Sequence, residues 1–337
     1  ALALFKPTSL TDTSKYYALK ASADDAEFVG IDQTDSPIKI DASGCEIQVN
    51  GGKDGTNPNL KPAVDFRRMN GEAYTVELGG GGTVDFDYFS SIIQLDIAWA
   101  SLEIENFLQV SGGLSFTVME NIRLTKTNGT AFDAKTYGFG GSNMDVFAGY
   151  GTYFEDSNGD GTIDYNDSRN SDAMGLAMEN VTFGFMVAKP LAGTGLTYST
   201  VRADADRVGL VGLDFLELEA RDIEIEVNTV SNQSNPNDNV VIDYTALPDE
   251  KLDFSTGLES LPFDFSDNIV RVSLGYGLIR ISDFVFIEGS FAFEKGPQIE
   301  ATLTTGNSVP VNPLNIGAKD VNMFFGINGP YRSDTNG

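Results

Sequence analysis

A spacing of about 180 residues governs this chain, because the sequence repeats itself at that interval. FGFMVAKP, ending at Pro190, matches ALALFKP, ending at Pro7. Ala21–Asp32 aligns with Ala203–Asp214 at an offset of 182, and Glu46–Asn50 (EIQVN) with Glu224–Asn228 (EIEVN) at 178. Thr56–Asn59 pairs with Ser234–Asn237 at 178, and Ser101–Phe116 with Leu278–Phe293 at 177. Gly151–Gly159 (GTYFEDSNG) returns as Gly329–Gly337 (GPYRSDTNG) at 178. Collinear matches at nearly one offset make two units, residues 1–182 and a shorter 183–337. The chain opens inside a copy and ends inside the Asp334-Thr335-Asn336-Gly337 motif, so the expectation is a parent polypeptide with further copies. ALALFKP has no charged region before its apolar residues and does not read as a signal peptide.

The repeated segments alternate with period two. Leu108, Val110, Gly112, Leu114 and Phe116 are interleaved with Gln109, Ser111, Gly113 and Ser115, and Val285–Phe293 keeps that pattern. Such alternation makes a strand with one buried face. Phe215–Val227 (FLELEARDIEIEV) alternates likewise, and its acids are expected to face solvent. Asn/Asp/Gly-rich connectors such as GGKDGTNPN and SNQSNPNDN supply turn chemistry. A finer period near 37 residues is marked by an Asn or Asp before an apolar residue at Asn106, Asn143, Asn180, Asp214, Asp283 and Asp320, read as strand starts. The fold class expected is all-β, as continuous stacked sheet or β-solenoid-like repeats, with tandem β-sandwich domains as the alternative. No linker marks the repeat boundary, which favours the continuous stack.

Composition narrows the chemistry. The 22 Lys and Arg against 49 Asp and Glu give a formal charge of -27, which repels nucleic acid and attracts cations. There is no histidine, so zinc sites and Ser-His-Asp or Cys-His catalysis are disfavoured. Cys45 is the only cysteine, so no disulfide forms within the chain; in the run CEIQV it reads as a small core residue. No run approaches the length of a membrane-spanning helix.

One motif carries specific chemistry. Asp156, Asn158 and Asp160 take positions 1, 3 and 5 of a twelve-residue calcium loop. Gly161 provides the turn, Thr162 a carbonyl at position 7, Ile163 the apolar position 8, Asp164 position 9 and Asp167 position 12. Calcium takes six to eight oxygens, and this spacing wraps them around one centre. An Asp replaces the usual bidentate Glu at position 12, and the flanks GYGTYF and MENVTFGFMV read as strands rather than helices. The loop resembles those of dockerins and EF-hands, and of calcium-binding repeats in giant bacterial surface proteins. More broadly, repeat length, acidity and lack of disulfides resemble the tandem-repeat regions of secreted adhesins and surface filaments. That resemblance implies an extracellular, cell-surface location, calcium-dependent stiffness and a role in extension or attachment.

Other functions have weaker support in the residues. A lyase or glycosidase needs paired carboxylates in a cleft, but with 49 acids such pairs discriminate nothing. Positions that differ between copies, Glu103 against Arg280 and Glu105 against Ser282, form no recognisable catalytic set, so no enzyme is expected. Trp99, Tyr150, Tyr153, Tyr276 and Tyr331 could stack on sugars, with Trp99 and Tyr276 at equivalent positions also reading as repeat core. The run Phe284–Ile287 could line a lipid groove or be a strand buried on both faces. The reading is a calcium-stabilised structural repeat partnered by further copies of itself and by cell-surface polysaccharide; a carbohydrate-binding or polysaccharide-processing β-helical surface protein is the alternative.

Overall fold

The computed structural model describes residues 1–26, 36–57, 61–69, 73–105, 107–159, 168–193, 195–235 and 238–330. The chain contributes β1 (Leu2–Phe5), β2 (Lys15–Ala26), β3 (Ile38–Lys53), β4 (Tyr74–Glu77), β5 (Thr83–Phe86), β6 (Ser91–Ile104) and β7 (Leu108–Thr125). Then come β8 (Ala131–Tyr150), β9 (Phe154–Glu155), β10 (Ser168–Arg169), β11 (Met174–Pro190), β12 (Leu196–Val211) and β13 (Leu216–Asn232). The rest are β14 (Leu252–Ser255), β15 (Ser260–Phe263), β16 (Ile269–Ile281), β17 (Val285–Lys295), β18 (Ile299–Thr302), β19 (Ser308–Val311) and β20 (Leu314–Phe325). Among the described residues there is no α-helix, only two single 3-10 turns.

One 12-stranded antiparallel sheet runs β1-β2-β3-β6-β7-β8-β11-β12-β13-β16-β17-β20. It is a meander, open at both ends and neither closed nor curled. The remaining strands pair into small hairpins within the longer connections. Residues 182 and 183, where the sequence period divides, both lie inside β11.

The two faces of this sheet differ in kind. On one, Leu95, Phe116, Phe139, Phe185, Val201 and Val227 form a single cross-strand row. Phe116, Phe139 and Phe185 are 49%, 43% and 40% exposed, so nothing in the described chain covers this apolar face. On the other, Asp96, Ser115, Gly140, Gly184, Arg202 and Glu226 make the neighbouring row. This polar, small-residue face carries the inserted segments. Between β3 and β6, Phe66, Phe86 and Tyr88 pack onto Ala3 and Ala18. Between β13 and β16, Tyr244, Phe254, Phe263 and Phe265 cover Met186 and Tyr198. Between β8 and β11, Tyr153 and Phe154 cover Phe147 and Ala177.

The solvent-facing acids expected from FLELEARDIEIEV are therefore corrected at Glu219, which lies on the insert-bearing face and is only 9% exposed. Alternation identifies two faces without saying which is covered, and here insertions decide that. Cys45 sits half-buried on the apolar face, in register with Ala23 and Ile97.

The finer period marks something other than strand starts. Asn143, Asn180 and Asp320 lie within β8, β11 and β20, with left-handed φ of 48°, 50° and 53°. Register slips at or beside these positions, between Met178 and Val181 and opposite Glu288–Ser290, so they belong to β-bulges. Asn and Asp tolerate this conformation because their short polar side chains bond locally. Asp214 and Asp283 lie in turns, and Asn106 lies outside the described residues. Gly112 and Gly289 take φ of 134° and 155° in the same band, and a Cβ on Gly112 would approach the Met144 Cα to 2.8 Å.

Places 177 or 178 residues apart are built alike. Asp65 caps the turn Phe66–Arg68, and Asp243 caps Tyr244–Ala246. Asn50 donates to the carbonyls of Val64 and Ser90, each at 2.8 Å. Asn228 donates to those of Ile242 (2.8 Å) and Asp267 (3.0 Å). Each asparagine thus pins an insertion to the sheet from a site 1% or 0% exposed. Replacing either by alanine strands two carbonyls and should cost about 1–3 kcal/mol. The two losses should add, since the sites share no partner; urea midpoints of both single variants and the double check this.

Candidate functional site

The calcium-loop motif leaves the sheet at the end of β8, on the polar face. Gly151, at φ 90°, turns the chain so that Tyr153 and Phe154 fold back underneath. Tyr153 stacks on Phe147 with ring centroids 5.2 Å apart and meets Phe154 edge-on at 4.8 Å. Gln109 of β7 fastens the turn: its Oε1 accepts from the Tyr153 and Phe154 amides at 2.9 and 3.2 Å, and its Nε2 donates to the Phe154 carbonyl. The loop is closed at its base by β9 and β10, with Glu155 opposite Ser168 and Phe154 opposite Arg169.

Of the six proposed ligands, Asp156 and Asn158 are described, both exposed at the start of the loop. The Asp156 Oδ1 accepts from the Gly159 amide at 2.7 Å, and the Ser157 Oγ accepts from the Ser168 amide at 2.9 Å. The first carboxylate thus already caps a tight turn beneath a closed strand pair. Asp160, Thr162, Asp164 and Asp167 lie outside the described residues, as does the repeat of the motif at Asp334. Among the described residues, no three acidic or thiol groups converge as a metal site.

Beneath the loop lies a charged ladder that sequence reading missed. Glu179 of β11 accepts from Arg207 Nη1 at 2.7 Å and from the Tyr153 hydroxyl at 3.0 Å, and it pairs with Arg169 of β10. Arg207 of β12 turns its Nε to Glu219 of β13 at 3.0 Å, and Glu219 also holds Arg221. The guanidinium of Arg221 lies 5.4 Å from the centre of the Tyr276 ring. The Tyr276 hydroxyl donates to Glu288 of β17 at 3.2 Å, and Asn322 of β20 donates to that same carboxylate. An unbroken polar chain therefore links the loop base to the last strand, crossing β11, β12, β13, β16, β17 and β20.

Burial alone would raise the Glu179 carboxyl, but the hydrogen bonds from Arg207 and Arg169 outweigh it and hold the group below its ordinary range. Burial and the Glu179 charge push the Tyr153 hydroxyl upward. Burial, with Glu288 beside it, raises Tyr276 to about 12. Each charged group of the ladder meets an opposite charge or a hydrogen-bond partner: Arg169 and Arg207 at Glu179, Arg207 and Arg221 at Glu219, and Tyr276 and Asn322 at Glu288. The ladder's chemistry is that of a brace. An open cleft of about 520 Å³ beside it is lined by Arg169, Arg207, Glu217 and Arg280 among others.

The remaining positions singled out in the sequence scatter. Trp99 and Tyr276 are half-buried inside equivalent register slips, Tyr153 is buried, Tyr150 is 75% exposed, and Tyr331 lies outside the described residues. Phe284 stands in the turn before β17, while Val285 and Phe286 point to opposite faces of that strand. Glu103 is bonded to Lys39, and Arg280 faces Glu217 at 3.7 Å. These aromatic and charged side chains do not converge on one centre. No protein-family model matches the chain, and neither a curated protein nor a solved structure is found similar to it.

Proposed function

We propose that this chain is a structural segment of an extracellular, calcium-stabilised rod, filament or adhesin stalk. In it each copy extends the antiparallel sheet of the one before. The observation that carries this reading is the equivalence of places 177 or 178 residues apart within one uninterrupted sheet, down to Asn50 and Asn228 bonding matched carbonyls. A unit that adds its strands to the sheet of its predecessor, with no linker between, is suited to extension. Calcium enters through the spacing from Asp156 to Asp167, and the ladder at Glu179 ties that loop to the sheet.

The chelator experiment tests the calcium part. At a hundredfold excess over Kd, calcium should add about 2.7 kcal/mol to stability. The melting temperature should rise with calcium and fall back in chelator, and the Asp156→Ala/Asp160→Ala double variant should melt alike in both. A wild-type melt indifferent to calcium would remove the metal from this reading. Depolymerisation of a cell-surface polysaccharide by the purified chain would replace the structural reading with an enzymatic one.

A further inference from the structure

We infer that the open edge at β20 is a docking strand for β1 of a second copy of this repeat, in the register that joins β8 to β11. This rests on the repeat-scaffold reading and gives it a surface. The strand β20 is the counterpart of β8 at an offset of 177. Asp320 repeats the left-handed Asn143, and the pair Phe293–Ile316 repeats Phe116–Phe139. In the same way β1 is the counterpart of β11. Leu2 pairs with Leu19 as Phe185 pairs with Val201, and Leu4 with Tyr17 as Val187 pairs with Ser199. Inside the sheet β8 and β11 are direct neighbours, whereas β20 and β1 are its two free edges. Among the described residues, each edge therefore lacks the partner that its interior counterpart has.

The interior pairing fixes the register. Phe139 opposite Phe185 becomes Ile316 opposite Leu2, and Tyr137 opposite Val187 becomes Leu314 opposite Leu4. These four residues are the uncovered ends of the apolar rows: Ile316 is 77% exposed, Leu4 68%, Leu314 58% and Leu2 56%. Free edges ordinarily defend themselves with Lys, Glu or Pro. Here Leu314–Ala318 (LNIGA) and Leu2–Phe5 (LALF) carry neither charge nor proline, in a chain of formal charge -27. Ten strands separate β1 from β20 in an open sheet, so the partner is another copy rather than the chain's own far edge. The contact is head-to-tail and does not close, so it generates an open row of copies.

Cysteine pairing in the full chain tests this. In a Cys45→Ser background, Leu2→Cys with Ile316→Cys should oxidise into a ladder of dimers and higher multimers that collapses on reduction. Facing residues on antiparallel strands stand about 4.5–5.5 Å apart at Cα, inside the disulfide range. Leu2→Cys with Leu314→Cys, two residues out of register on the same face, should link about tenfold more slowly, because its separation exceeds that range. A proline at Leu314, whose amide points away from β17 because Pro313 and Asn315 are the residues bonded to it, should abolish the ladder while leaving the melting temperature of the unlinked chain unchanged. A monomer at the highest soluble concentration, a link formed within one chain, or equal rates for both cysteine pairs would overturn the inference. A monomer whose melting still responds to calcium overturns the edge pairing alone, whereas in-register linking without a calcium response upholds the pairing and removes the calcium part.

Discussion

Replacing Glu179 by alanine is expected to lower the stability of this protein by about 1.5–3 kcal/mol, the usual worth of hydrogen bonds to a charged group. The side chain is only 5% exposed, and it answers Arg207 and Arg169 together. Without it Arg207 keeps Glu219 but loses its second counter-charge, and the Tyr153 hydroxyl loses its acceptor. Glu179→Gln retains the shape and one acceptor oxygen, so it should fall between the wild type and alanine. The pH dependence has a definite sign. A carboxyl held below its ordinary range in the folded state gives stability that is present above that range, near pH 4.3, and lost as the pH drops through the folded value. Acid unfolding should therefore be less steep in Glu179→Ala than in the wild type. Urea midpoints between pH 3 and pH 7 measure both effects, and parallel curves for the two proteins would show that Glu179 does not carry this linkage.

The second large effect belongs to Phe254. This ring from β14 lies on a bed of glycines. A Cβ added to Gly138 would stand 2.3 Å from it, and one added to Gly184 2.9 Å. It also stacks on Phe263 with centroids 5.1 Å apart. Phe254→Ala should cost about 3–5 kcal/mol, since neither a glycine floor nor a neighbouring hairpin can collapse to fill the space. The loss should be local: protease should cut residues 233–268 well before the sheet yields. The complementary change Gly140→Ala brings a Cβ to 2.5 Å from the Ser255 carbonyl oxygen and 3.0 Å from the Thr256 Cα. Those are backbone atoms with little room to move, so this substitution should loosen the same hairpin from below. A full-length chain that resists protease in both variants would mean the hairpin is held by other contacts.

Much of the architecture is legible in the residues. Alternation through Leu108–Phe116 and Val285–Phe293 gives strands β7 and β17, and the matched EIQVN and EIEVN carry Asn50 and Asn228 to equivalent buried sites. Which face is covered is not legible, because period two is symmetric between faces. The insertions that break the symmetry are the least periodic stretches of the chain. The mid-strand bulges read as strand starts in the sequence, since Asn and Asp serve turns and left-handed bulges equally well. The ladder was missed for a statistical reason: among 49 acids, nothing local marks Glu179 or Glu219. The usable signal was their place on the polar side of strands flanked by an Arg at the same phase, as with Arg207 and Arg221.

The band of left-handed residues has a consequence for how such a sheet survives copying. A meander propagated by duplication has no intrinsic memory of alignment, since a strand displaced by one residue still offers the same backbone donors and acceptors. Asn143, Asn180, Asp222 and Asp320, with Gly112 and Gly289, act like the registration marks of a printing press. A displaced strand would force Met144 or Val181 into a conformation that only glycine, asparagine or aspartate takes cheaply, at about 1–2 kcal/mol for each misaligned mark. Errors are thereby caught strand by strand, and copies can diverge in most of their residues while still printing in line.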